Sequence, residues 1–231
     1  MKNNQTSQRI RYLVMLALFT AMAYVVMLAI HIKVGFLTLD VKDAVMTLCG
    51  LYFGPLSALI IAVVVPLLEL ATSDTGPYGL IMNVLGSVSF SVVASLIYKY
   101  KKTLWGAIVG LISAAFTMVA VMLAANLLIT PHFMGVTVAA VREMIPTLLL
   151  PFNLLKALVN VGVVLLLYKS LSRALHRAKV LPKSNRAAQG DAPAKRKPYV
   201  SVIIAVSALI LIAVSLVVIF TVLGGKIDFG G

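Results

Sequence analysis

The chain of 231 residues is 61% apolar and 12% charged, with a mean hydropathy of +1.04. Soluble domains carry about 45–50% apolar residues, so this composition excludes them and defines an all-α integral membrane protein embedded in the lipid bilayer. The net charge of +13 comes with no aromatic-interleaved basic surface and no nucleic-acid motif, so it is assigned to membrane orientation and anionic lipid and not to nucleic acid.

Crossing a hydrocarbon core of roughly 30 Å takes about 20 residues of helix. In chain order the apolar runs predict helices at about 12–30, 44–53, 55–72, 79–98, 103–129, 146–168 and 199–223. The second is too short to span alone and joins the third at Gly54-Pro55 as a half-length helix. The first follows Arg9 and Arg11 and stays apolar through Ile30, longer than a signal-peptide core of about 7–15 residues, so it is expected to be retained. The lone Cys49 excludes an internal disulfide.

With a cytoplasmic N-terminus, fifteen of the twenty basic residues fall on inside segments, nine of them between Lys169 and Lys197. Asp40, Asp43, Asp74, Glu143 and Asp228 fall outside. The positive-inside rule is met at every charged loop, which predicts a multi-pass protein of the cell membrane with its C-terminus outside. Three regions follow: a six-helix binding domain over 1–172, a basic Pro/Ala/Lys-rich linker over 173–198, and an additional helix with a short outer tail over 199–231. That last helix is uniformly aliphatic and supplies no candidate site residue, so truncation after Leu181 is expected to leave binding intact.

Polar groups inside the apolar runs carry the functional signal, because an unpaired Lys at a helix centre costs on the order of 2.5–3.5 kcal/mol on insertion scales. At about 100° per residue, Asn153, Lys156 and Asn160 share one helical face that must look into the bundle. At about 1.5 Å per residue from Pro146 they lie about 10–20 Å below the outer surface. Glu69, Asn83 and Asn126 cluster at the same level, which predicts a polar-lined cavity opening outward. Each Asn has helix-to-helix glue as its competing role, and Glu69 is either the acceptor for Lys156 or an interfacial charge. Phe36, Tyr78, Phe133 and Phe152 stand near the same half, as packing residues or as walls for a ring.

An enzyme would need a nucleophile with a base, or clustered His and carboxylate ligands for a metal. His31, His132 and His176 have no such spacing, and neither a catalytic residue, a metal site nor a cofactor is expected. No Walker-type phosphate loop is present, so a partner or an ion must energise any uphill transport. Ala17 and Ala21 form a small-xxx-small face on which another helix can approach closely.

The stretches "FLTLDVKDAVMTLCGLYFGPLSALI" (36–60), "TGPYGLIMNVLGSVSF" (75–90), "AANLLITPHFMG" (124–135) and "LLPFNLLKALVN" (149–160) resemble the riboflavin-specific substrate-binding subunits of energy-coupling factor (ECF) vitamin transporters. The resemblance covers about residues 10–172. It implies a six-helix bundle that binds riboflavin near the outer face as a transported ligand, with a transmembrane coupling subunit and two cytoplasmic ATPase subunits driving uptake. It further implies that Asn126, Asn153 and Lys156 contact the flavin ring system, that Asp40 belongs to a covering loop, and that Ala17 and Ala21 meet the coupling subunit. Several relatives carry an acidic residue and a Lys-Asn pair in the third helix, where this chain has Ala62, Val65 and Pro66. How a ribityl chain is held is therefore open, with Glu69 as one substitute. Another vitamin such as folate or thiamin, or an ion-coupled flavin carrier, remains the alternative to a riboflavin subunit.

Overall fold

The computed structural model describes residues 2–178 and 198–227. The chain runs α1 (Lys2–Ala29), β1 (His31–Val34), β2 (Leu37–Asp40), α2 (Lys42–Phe53), α3 (Pro55–Glu69), a 3-10 turn (Leu70–Thr72), α4 (Gly76–Tyr100), α5 (Leu104–Met134), α6 (Val138–Met144), a π turn (Ile145–Leu149), α7 (Leu150–Arg177), α8 (Pro198–Thr221) and β3 (Lys226–Ile227). Among the described residues six helical stretches are long and apolar enough to cross a membrane, and the chain is a multi-pass all-α membrane protein. The 12 residues of α2 rise only about 18 Å, so α2 is the half-length element. It turns into α3 at Gly54, whose φ of +100° suits glycine.

Helix ends depart from the sequence expectation where polar caps and prolines intervene. The first helix begins at Lys2 and not near residue 12. α5 is capped by Thr103, whose hydroxyl accepts from the Gly106 amide, and runs on through Pro131 to the left-handed Gly135. The sixth apolar run starts at Val138, because α6 leads through the π turn containing Pro146 directly into α7. A helix can hold such a turn when Pro removes an amide that would otherwise complete the ladder. Of the linker expected over 173–198, the first residues continue α7 to Arg177 and Pro198 opens α8, while 179–197 lie outside the described residues.

The loop after α1 is an antiparallel hairpin. Val34 pairs with Leu37 across the two-residue turn Gly35-Phe36, and Gly35 at φ +60° supplies the left-handed conformation such a turn needs. Alternation puts Ile32, Val34, Leu37 and Leu39 on one buried face, where they pack with Val141, Leu149, Phe152 and Ile219. The hairpin thereby caps one end of the bundle. On its other edge β1 pairs with β3, Ile32 opposite Ile227 and Lys33 opposite Lys226.

The central core is built from α1 to α5 and α7, with Phe19, Met46, Ile61, Phe90, Leu111 and Met118 fully buried. A Cβ on Gly110 would come within 2.9 Å of the Ala94 carbonyl, so α4 and α5 touch at backbone distance there. α8 packs along α7, where Gly162 makes room for Ile212. The opposite side of α8, at Val202, Leu209 and Val217, is an exposed apolar face of the kind that meets lipid, as is the outer face of α1 at Leu13, Leu18 and Val25.

Candidate functional site

A cavity of about 710 Å³ opens beneath the hairpin, between α3, α4, α5 and α7. This size is within the range of about 300–1,000 Å³ that suits a small organic ligand. Of the residues read from the sequence, Glu69, Asn83, Asn153 and Lys156 line it. Phe36, Tyr78, Phe133 and Phe152 line it as well. Phe133 stands between the first two, with ring centroids 6.3 Å from Phe36 and 6.0 Å from Tyr78.

Asp40 and Asn126 lie behind the wall and not on it. Asn126 is fully buried in α5: its amide donates to the Met122 carbonyl at 2.7 Å, and its carbonyl accepts from the Thr130 hydroxyl at 2.8 Å. Thr130, one turn on, is the residue that reaches the cavity. Asp40, the last residue of β2, is a hub for two cations. Its Oδ2 accepts from Lys42 Nζ and from Lys156 Nζ, each at 3.1 Å, and its Oδ1 accepts from the Lys42 amide at 3.1 Å. Burial alone would raise the Asp40 pKa, but Lys156 and Lys42 outweigh it and hold the carboxyl down at about 2.

The acceptor for Lys156 is therefore Asp40, together with the Thr38 carbonyl at 3.0 Å, and not Glu69. Glu69 instead takes a hydrogen bond from Lys42 at 2.7 Å. Lys42, the first residue of α2 and outside the apolar run expected from Ala44, is 0% exposed, and its third contact is the Asn83 carbonyl oxygen at 3.4 Å. Asp40 and Glu69 pair with Lys42 and Lys156, so each of these two ammonium groups has a carboxylate partner, the arrangement in which buried charges are tolerated. Asn160 fastens the quartet to α7. Its amide nitrogen donates to the Asp40 carbonyl at 3.1 Å and its oxygen accepts from the Ala44 amide at 2.8 Å.

Sequence reading also passed over Asp43, which lines the cavity and accepts a hydrogen bond from the Ser87 hydroxyl. The signal was present as an acidic residue in the first turn of a helix, a placement that helix polarity alone explains. At the mouth, Lys33 on β1 bridges to Asp74 at 2.9 Å. This exposed pair is worth about 0–1 kcal/mol and joins the hairpin to the segment before α4.

Bond by bond, the cavity keeps specific capacity in reserve. An ammonium has three donors and an amide two donors and one oxygen. Lys156 has one N–H left over after Thr38 and Asp40. Asn153 donates to the Leu149 carbonyl at 2.8 Å, and among the described residues its buried oxygen has no partner. A donor and an acceptor thus stand one helical turn apart on α7, under aromatic walls. No group of three or more metal-ligating side chains occurs among the described residues.

Residues 11–168 match the family model described as ECF transporter, substrate-specific component. The riboflavin transporter RibU of Staphylococcus aureus (strain TCH60) is 30% identical in an alignment of 179 residues that covers 74% of this chain and 95% of that protein. A solved structure reported as the structure and mechanism of the S component of a bacterial ECF transporter aligns with a TM-score of 0.62 at 31% identity, over 72% of this chain and 98% of that one. The chain belongs to the substrate-specific components of ECF transporters; its class is a transport component and not an enzyme. α8 and β3 lie beyond the residues matched by the family model.

Proposed function

We propose that this protein binds riboflavin from the outer side of the membrane and delivers it for uptake as the specificity subunit of an ECF-type importer. The observation that carries the reading is the reserve on α7: the spare Lys156 N–H and the unpartnered Asn153 oxygen. The pyrimidine edge of isoalloxazine presents carbonyl, N–H and carbonyl in sequence, and a neighbouring donor and acceptor match that edge. The ring faces then lie against Phe36, Tyr78, Phe133 and Phe152. Similarity to a riboflavin transporter supports the same ligand.

The hairpin end faces outward and the N-terminus is cytoplasmic, in keeping with the basic residues of the inner segments. The partners are a transmembrane coupling subunit and two cytoplasmic ATPases. Ala17 and Ala21 are both exposed on α1, on a face open to a neighbouring helix. Every residue assigned to the pocket precedes residue 172, so 1–172 is the binding domain and the segments beyond it are accessory.

Titrating the purified protein into riboflavin tests this reading through quenching of flavin fluorescence, with mass spectrometry of co-purifying small molecules alongside. Saturable quenching at one flavin per chain is the expected result. Co-purified folate or thiamin with no response to riboflavin would overturn the choice of vitamin.

A further inference from the structure

We infer that Lys42 is the positioning residue for the polyhydroxylated end of the ligand, a specificity role that rests on the riboflavin reading above. The two buried lysines differ in what they have left to give. Lys156 lines the cavity and keeps one N–H free. Lys42 is absent from the cavity lining, and all three of its ammonium protons are taken by Asp40, Glu69 and Asn83. It has no donor to offer a ligand, so its effect must pass through the groups it holds.

Those groups are two cavity-lining side chains from different helices, Glu69 at the end of α3 and Asn83 on α4. Lys42 occupies Oε2 of Glu69 and the carbonyl oxygen of Asn83. Among the described residues that leaves Oε1 of Glu69 as a free acceptor and the Asn83 NH₂ as a free donor. Without the cation, the amide is free to turn over and the carboxylate to swing. With it, one acceptor and one donor are fixed side by side. A hydroxyl is both donor and acceptor, so a chain of hydroxyls satisfies this pair, the polar edge of the ring system being matched by Asn153 and Lys156 on α7.

The position answers a question the sequence left open. α3 has Ala62, Val65 and Pro66 and supplies no cation of its own to the site. Lys42 reaches Glu69 across 27 residues of chain, from the start of α2. The ring end and the polyol end then have separate cations, both anchored on the same oxygen of Asp40.

The test compares riboflavin with lumiflavin, which keeps the ring system and lacks the ribityl chain. Wild-type protein should bind riboflavin more tightly than lumiflavin. Lys42→Met should weaken riboflavin roughly 10- to 100-fold, the range for a buried charged partner lost, and leave lumiflavin within about threefold. Lumiflavin binding also reports that the variant is folded. Because Lys42→Met leaves Glu69 unpaired, the double variant Lys42→Met/Glu69→Gln, which removes one charge of each sign, carries the test if the single variant fails to fold. It should be no weaker for riboflavin than Glu69→Gln alone, since residues acting as one unit are non-additive. Equal losses for both ligands would show a merely structural role and overturn the inference, as would an unchanged riboflavin affinity. Equal wild-type affinity for the two ligands would overturn it while leaving the riboflavin reading intact; a wild type that binds neither overturns both.

Discussion

Lys156 Nζ lies 3.1 Å from Asp40 Oδ2, a contact that spans 116 residues and ties the end of the hairpin to the second turn of α7. The same lysine lines the cavity, so removal has two effects. Lys156→Met should weaken riboflavin roughly 10- to 100-fold and also lower the melting temperature. Asn153→Leu separates the two, because among the described residues its one side-chain hydrogen bond is to the Leu149 carbonyl, one turn back at the end of the π turn. It should insert and melt as the wild type does while binding falls by roughly 10-fold, the cost of one unsatisfied ligand donor. Fluorescence titration beside melting curves without ligand checks both; unchanged affinity for Asn153→Leu with a lowered melting point would mark it as helix glue.

Asp40 neutralises two buried cations at once. Asp40→Asn removes the shared partner, and breaking a buried pair in this way costs about 3–5 kcal/mol. The expected outcome is a large loss of melting temperature in detergent, with both lysines left short of charge. The pH dependence has a definite sign. The folded carboxyl is held at about 2 against an ordinary 3.8, so its contribution is fully present above about pH 4 and fades as pH falls toward 2. Melting curves of wild type and Asp40→Asn should converge over that window and stay apart above it.

Ala17 and Ala21 are one turn apart on α1, and both are exposed. Ala17→Trp and Ala21→Trp should leave flavin binding in detergent unchanged, because neither residue lines the cavity. Uptake in cells should be lost, since bulk on a small-xxx-small face prevents close helix approach. Wild-type uptake by both variants would remove this face from the coupling interface.

β3 holds the free edge of the hairpin through the pairs Ile32 with Ile227 and Lys33 with Lys226. Phe36, Leu37 and Thr38 of the same hairpin cover the cavity. Deleting residues 224–231 should leave binding in place, since no cavity-lining residue is touched, but riboflavin should dissociate about 3- to 10-fold faster. That factor corresponds to one net backbone hydrogen bond of about 0.5–1.5 kcal/mol. Stopped-flow displacement measures it, and an unaltered off-rate would show that the hairpin needs no third strand.

The number of the membrane helices was legible in the sequence, because hydrocarbon thickness sets the least length of an apolar run, but their ends were not, since α1, α5 and the α6–α7 run continue through polar residues and prolines beyond the apolar core. The inward face of α7 was legible as well, since Asn153, Lys156 and Asn160 fall at helical spacing and lipid admits none of them. The level of Glu69 and Asn83 followed from counting residues along their helices. Tertiary structure alone decided which charge meets which. The partners Lys42 and Glu69 stand 27 positions apart and Asp40 and Lys156 stand 116 apart, and no local period encodes such a pairing. Lys42 was the hardest to see, because beside a membrane boundary a buried lysine and a solvated one have the same sequence signature. The placement of Asn126 behind Thr130, and the edge that β3 adds to β1, were fixed in the same way: a helix face or a strand edge acquires its neighbour only when distant segments pack against it.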